Sequence, residues 1–263
     1  MATIAKTPTL SKNNVMRIGI SVGAAAVIWI VLIIMANLFV RNEMAHRILT
    51  LLGGSSLGYI QFICYSITIY ALFHLRDLNG YIKKQFKGFE LKLLPEEDQL
   101  ILTPEEVADI KLSVIEIEKR GVVYLLTQFI KNTCTQYRNN QSIPETMQVL
   151  ETQIVNSKEE LEGKLNMLRY LISSVMSIGF IGTIIGLASA IGNAHLAKSD
   201  HGLSILTSYL SVAFDTTLVA LLMGLILNYF YHQYLERMDV FYAQSKVYVM
   251  DNLVSRIYRH AND

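Results

Sequence analysis

Four apolar stretches dominate the hydrophobic pattern of the chain, and each contains at most one Asp, Glu, Lys or Arg. About 20 apolar residues allow a helix to cross a bilayer, and every stretch reaches that length. The pattern therefore predicts an all-α membrane protein with four transmembrane helices. The second stretch is the most polar, since Gln61, Ser66, Thr68 and several tyrosines interrupt it. The stretches are 18–40, 48–75, 170–197 and 201–235.

The polar region between the second and third stretches carries helix signals and no apolar run long enough to span. Thr103 can accept a hydrogen bond from the backbone N–H of Glu106, and Pro104 has the backbone angle that suits the first helical position. These signals predict a helix from 103 to about 138, which ends at Asn139-Asn140-Gln141.

A second capping box, Ser142-Ile143-Pro144-Glu145, begins a helix that should run without a break into the third apolar stretch. At 1.5 Å per residue, a helix from Pro144 to Ile191 would be about 70 Å long, far more than the hydrocarbon core needs. The fourth stretch continues in the same way into the tail. The apolar tail residues on one side of that helix are Leu235, Met238, Tyr242, Val249, Leu253 and Ile257.

Composition narrows the function classes. Of 263 residues, 52% are hydrophobic and 17% are charged, whereas soluble domains carry about 25% charge. The net charge of +1 gives no reason to expect nucleic acid as a partner, and two cysteines give no disulfide framework and no metal site. No phosphate-binding loop, hydrolase triad or HExxH motif is present, so we expect neither an enzyme nor a cofactor.

Lys and Arg are distributed unevenly between the predicted sides of the membrane. Twenty of them lie in the N-terminal arm, the long middle region and the tail, and three lie in the two remaining loops. The positive-inside rule therefore places both termini and the middle region in the cytoplasm. The predicted regions are an arm (1–17), two peripheral transmembrane helices with a short periplasmic loop (18–75), a cytoplasmic helical domain (76–169), two pore-side transmembrane helices (170–231) and a cytoplasmic C-terminal helix (232–263).

The third stretch has one face of small and weakly polar side chains. Small residues let helices approach closely in lipid, and hydroxyl groups on such a face can hydrogen-bond to a neighbouring helix. Plain helix packing and a polar path are both compatible with this face. The predicted packing residues are Gly179, Gly182, Gly186 and, in the fourth stretch, Gly224.

Asp215 lies about ten residues inside the fourth stretch. An Asp at the centre of a membrane helix costs about 2.5 to 3.5 kcal/mol, so it should face protein or a water-filled cavity. Ser204, Ser208 and Ser211 share its helical stripe, whereas Thr217 lies about 200° around the helix. The stretch thus has two polar faces, of which one can face a pore and the other a neighbouring helix.

Two motifs together resemble a known family. Gly182-Thr183 in a glycine-rich helix, followed by Ala213-Phe214-Asp215-Thr216-Thr217-Leu218 in the next, resembles the MotA/TolQ/ExbB proton channel family. The resemblance covers roughly residues 145–245. The four predicted spans and the large cytoplasmic region are more similar to the MotA arrangement than to the three-span TolQ and ExbB arrangement.

The resemblance implies a homopentamer around a central pore in a bacterial inner membrane. Two copies of a MotB-, TolR- or ExbD-like single-span subunit would occupy the pore, each with an aspartate for the transported H⁺ or Na⁺. The family's threonines correspond to Thr183 and Thr217 beside the ion path, and we assign Asp215 and Thr216 to the same path. Rotation would pass torque through the cytoplasmic helices to an unknown cytoplasmic or envelope target.

Two departures from the family pattern limit what can be transferred. TolQ and ExbB carry a membrane glutamate where this chain has Val212, so Asp215 does not inherit that role. MotA has prolines near the borders of its third and fourth spans, and this chain has none there, which weakens the interpretation as a flagellar stator. The alternative is a membrane scaffold or signalling subunit that conducts no ion. A secondary transporter is less favoured because the two halves show no internal repeat.

Overall fold

The computed structural model describes residues 12–54, 58–95, 101–121, 123–195 and 201–257. Regular structure in these ranges is helical, and the β-type contact there is an isolated bridge between Leu102 and Ile257. The prediction of an all-α protein is therefore confirmed. The α-helices are α1 (Lys12–Leu38), α2 (Glu43–Leu51), α3 (Tyr59–Phe86), α4 (Pro104–Lys119), α5 (Leu125–Asn140), α6 (Ile143–Gly192) and α7 (Gly202–Asn252).

Three helical segments among the described residues are long and apolar enough to cross a membrane. They are Val15–Leu38, Ile143–Gly192 and Gly202–Arg256. Helix α3 has 28 residues but is not among them, in keeping with the polar side chains in its sequence. The fourth span therefore stays a prediction.

The second apolar stretch, 48–75, is not one helix, and this part of the sequence interpretation is wrong. Helix α2 ends at Leu51, Gly53 has a φ of 103° that only glycine adopts easily, and α3 begins at Tyr59. Two side-chain hydrogen bonds stabilise this turn. The Trp29 indole donates to the Gly53 carbonyl at 2.9 Å, and the Tyr65 hydroxyl donates to the Leu52 carbonyl at 2.7 Å.

The single helix predicted from 103 to 138 is also wrong, because the chain forms α4 and α5 there. The predicted capping box of Thr103 and Glu106 is present at the start of α4. Gly121 then takes a φ of 88°, which ends the helical path and reverses the chain. A salt bridge between Lys131 and Glu118 joins the two helices after the reversal.

The two long helices are confirmed. Helix α6 has 50 residues and α7 has 51, and each continues from a polar region through an apolar one. The break before α6 occurs at Gln141, which has a φ of 49°. The second capping box is only half formed. Ser142 Oγ accepts weakly from the Glu145 N–H at 3.5 Å, while the Glu145 carboxylate accepts from the Asn140 amide.

The described residues divide into two compact units, to which α6 and α7 both contribute. The first unit contains the residues up to Arg76 and those from Met167 to Tyr231. The second contains Asp77 to Asn166 and the residues from His232 onward. The core of the second unit includes an aromatic cluster in which Phe241 packs edge-on against Phe86 and Phe89. Its members are Phe86, Phe89, Phe241 and Tyr248.

Candidate functional site

Small residues bring α6 and α7 into close contact within the first unit. A Cβ added to Gly182 would lie 2.5 Å from Thr216 Oγ1, and one added to Gly186 would lie 2.6 Å from the Cβ of Ala213. A Cβ on Gly179 would overlap the methyl group of Ala220. The two backbones therefore approach so closely that any larger side chain at these glycines must push the helices apart.

Gly224 lies farther along the same helix pair. A Cβ added there would lie 2.9 Å from the Cγ atom of Met176. Because methionine is flexible, this contact can yield more easily than the contacts at the three glycines of α6.

Thr183 and Thr217 meet across this contact. The Thr183 hydroxyl reaches the Ala213 carbonyl at 3.0 Å, and the Thr217 hydroxyl reaches the Gly179 carbonyl at 3.0 Å. The two hydroxyl oxygens also contact each other directly. Two hydroxyl hydrogens thus serve three contacts, so the pair can rearrange its hydrogen bonds without moving a helix. Both side chains are half-buried.

Thr216 has a different environment from its neighbour Thr217. It is fully buried and donates to the Ala213 carbonyl of its own helix at 2.9 Å. Its side chain is the one against which Gly182 packs. The structure therefore brings Thr216 to the helix contact, beside the pair formed by Thr183 and Thr217.

Asp215 lies on another face of α7 and is 5% exposed. Its carboxylate accepts two hydrogen bonds from the Arg47 guanidinium, Nη1 to Oδ2 at 2.6 Å and Nη2 to Oδ1 at 2.6 Å. The Ser211 hydroxyl approaches Oδ2 more loosely, at 3.4 Å. The buried acid is therefore paired by a cation in a two-pronged geometry, which is among the stronger arrangements for a carboxylate.

The two polar faces predicted for this helix are thus directed at two different helices. The face of Thr217 meets α6, and the face of Asp215 meets Arg47 of α2. Sequence reasoning missed Arg47 as a site residue, because it appeared only as one positive charge in a short loop. The available signal was that an acid in an apolar helix needs a partner, and only three Lys and Arg residues lie in the two loops predicted on the periplasmic side, namely Arg41, Arg47 and Lys198.

Three buried polar atoms of α3 have no hydrogen-bond partner among the described residues. They are Gln61 Oε1, Thr68 Oγ1 and His74 Nε2. Within the described ranges, no three or more His, Cys, Asp and Glu side chains are grouped so that they could hold a metal ion.

The comparison with known families identifies the region that contains this site. A family model described as the MotA/TolQ/ExbB proton channel family matches residues 124–246. No curated protein and no solved structure matches the chain at a significant level. The family resemblance predicted from the two motifs is confirmed. The match includes the threonine pair and Asp215 but not Arg47.

Proposed function

Because residues 124–246 match the model of the MotA/TolQ/ExbB proton channel family, we propose that the chain is a subunit of an ion-driven motor. The subunit works as a homopentamer around two single-span partner subunits of the MotB, TolR or ExbD kind. Ion flow at the contact with the partners turns the pentamer. The cytoplasmic helices pass the resulting torque to a target in the cytoplasm or the cell envelope.

The observation that carries this proposal is the threonine pair between α6 and α7. Thr183 and Thr217 belong to two motifs that are far apart in sequence, yet their hydroxyl groups contact each other and are half-buried. Such hydroxyl groups offer lone pairs to H⁺ or Na⁺ and can exchange hydrogen bonds as an ion passes. In this proposal the pair borders the ion path next to the aspartate of the partner.

The surface of the two helices supports an assembly larger than one chain. Apolar side chains of α6 and α7 are widely exposed in the single chain, among them Phe180, Ile184, Phe214, Leu218 and Leu225. In a membrane such side chains face lipid or another helix, and close helix approach at small residues favours association. The proposed pentamer in the inner membrane, with both termini in the cytoplasm, provides both environments.

Ion flux through reconstituted complexes tests this function. The chain is co-expressed with a MotB-, TolR- or ExbD-like single-span protein from the same genome, and the complex is placed in vesicles with a pH- or sodium-sensitive dye. We expect flux from the complex and at least about a tenfold loss in Thr217→Val, a change that costs about 1.4 kcal/mol of barrier. Thr207→Val is the matched control, because Thr207 is exposed on the same helix and donates to the Ser204 carbonyl of that helix.

The outcomes separate the two candidate functions. Flux that persists in Thr217→Val at the level of the control contradicts the assignment of the threonine pair. A correctly assembled complex that carries no flux with either ion contradicts the motor proposal and favours a scaffold or signalling subunit.

A further inference from the structure

Helix α2 is a short element that is capped at its start and contacts both α1 and α7. Asn42 caps its first turn by accepting from the Ala45 N–H at 3.1 Å. His46 Nδ1 is within hydrogen-bond distance of the Ala36 carbonyl of α1, at 2.9 Å. The helix therefore has a defined place against α1, from which Arg47 extends to α7.

The contact of Arg47 with α7 lies close to the threonine pair. Asp215 is two residues after Ala213, whose carbonyl accepts from Thr183, and two residues before Thr217. The segment 213–217 is thus held from two directions, by hydroxyl contacts to α6 and by an ion pair to α2. With 3.6 residues per turn, Asp215 and Thr217 lie about 200° apart on the helix.

We propose that Arg47 is a positioning residue for the threonine pair, and that it acts by compensating the charge of Asp215. A buried carboxylate without its cation must reach water or take up a proton. Because Thr217 lies on nearly the opposite face, any rotation of α7 that exposes Asp215 withdraws Thr217 from the Gly179 carbonyl and from Thr183. Pairing with Arg47 removes the need to expose Asp215, so α7 keeps the rotation at which the two threonines meet. This inference rests on the proposed function and assigns Asp215 a supporting role in it.

A set of neutral replacements tests the inference in the same flux assay. Arg47→Gln leaves the buried carboxylate of Asp215 without its cation, so flux should fall at least about tenfold. Asp215→Asn should cost less, because Arg47 has a side chain that is 51% exposed and can turn to water. The double variant Arg47→Gln/Asp215→Asn carries no charge that needs a partner and should recover most of the flux. Arg41→Gln, which replaces an exposed arginine before α2, is the matched control and should not change flux.

Recovery in the double variant distinguishes positioning from direct ion handling. If Asp215→Asn abolishes flux and the double variant does not recover, Asp215 itself handles the ion and the inference is wrong. If Arg47→Gln conducts like the control, the inference is also wrong.

A cross-linking measurement decides the inference independently of ion flux. Cysteines introduced by Thr183→Cys and Thr217→Cys should form a disulfide rapidly in the unaltered background. Arg47→Gln should slow that reaction, and adding Asp215→Asn should restore it. If the complex carries no flux at all, the proposed function fails, while the rates of cross-linking still show whether Arg47 positions the pair. Equal rates in all backgrounds would overturn the inference.

Discussion

The three threonines of α7 have different roles even though they lie within ten residues of one another. Thr217 reaches across to α6, Thr216 is buried and bonds within its own helix, and Thr207 is exposed and also bonds within its helix. The side chain is the same in each case, so its neighbours decide what it can do. Only Thr217 has a second hydroxyl group beside it on another helix. For this reason the proposed ion path is assigned to Thr217 and Thr183.

For Asp215, one contact in the structure changes the functional interpretation of the residue. The sequence shows an acid in an apolar helix and assigns it to the ion path, but it does not say whether the side chain faces the pore or a neighbouring helix. The structure pairs it with Arg47, and the pair can be replaced as a unit by neutral side chains at little cost if its role is to position α7. Its place in the ion path stays a prediction, which the paired substitutions described above decide.

Cys134 in α5 provides a residue-scale prediction for the second unit. The side chain is 1% exposed, and burial raises the pKa of its thiol to about 12. Because the thiolate is the reactive form, we expect iodoacetamide to leave Cys134 unmodified at neutral pH in the folded protein. A Cys64→Ala background makes Cys134 the only thiol, and mass spectrometry measures the alkylated fraction.

An exposed position of the same helix provides the control for this measurement. Asn132 is exposed on the same helix, so Asn132→Cys should be alkylated readily under the same conditions. Unfolding in denaturant should make Cys134 react as fast as the control cysteine. Rapid alkylation of Cys134 without denaturant would show that α5 is not packed as described.

At the scale of elements, α6 combines two kinds of glycine. Gly182 lies where a Cβ would meet Thr216 of α7, whereas Gly163 has no neighbouring atom within 4 Å of the position of an added Cβ. The first glycine is needed for close helix approach. Gly163 makes no such contact and only lowers the stability of the helix, because glycine loses more conformational freedom on folding than alanine does.

Alanine substitutions should therefore have opposite effects on stability at these two positions. We expect Gly182→Ala to lower the free energy of unfolding by about 1 to 3 kcal/mol, because it overpacks the contact with α7. Gly163→Ala should raise it by about 0.5 to 1 kcal/mol by favouring the helix. Unfolding in detergent, followed by circular dichroism, measures both. An equal effect of the two substitutions would contradict the close approach of α6 and α7.

At the scale of the whole molecule, the single chain leaves large apolar side chains of α6 and α7 exposed and gives the threonine pair only partial cover. We expect native mass spectrometry of the protein in mild detergent to show a homopentamer. Co-expression with the single-span partner should add the mass of two partner chains. A stable monomer under these conditions would contradict the proposed assembly, and Gly182→Ala should weaken the pentamer if its packing depends on the α6–α7 contact.

The sequence by itself determined the class of protein and the long helices. Apolar length identified three stretches at which the structure has helices long and apolar enough to cross a membrane. Capping residues such as Thr103 located where helices begin, because these signals depend on neighbours along the chain. The two motifs identified the family because each lies within one helix and can be recognised from residues that are neighbours along the chain. Gly121 is a possible helix-breaking residue in the sequence, but the residues on both sides of it favour a helix, so the sequence alone predicted a continuous one.

Only the tertiary structure decided which residues form the site. The contacts of Thr183 with Thr217 and of Arg47 with Asp215 join positions 34 and 168 residues apart. No periodicity within a helix indicates which face another helix covers, so the sequence left both polar faces of α7 as candidates for the pore. Helix packing assigned one face to α6 and the other to α2, because small residues permit the first contact and a buried charge requires the second.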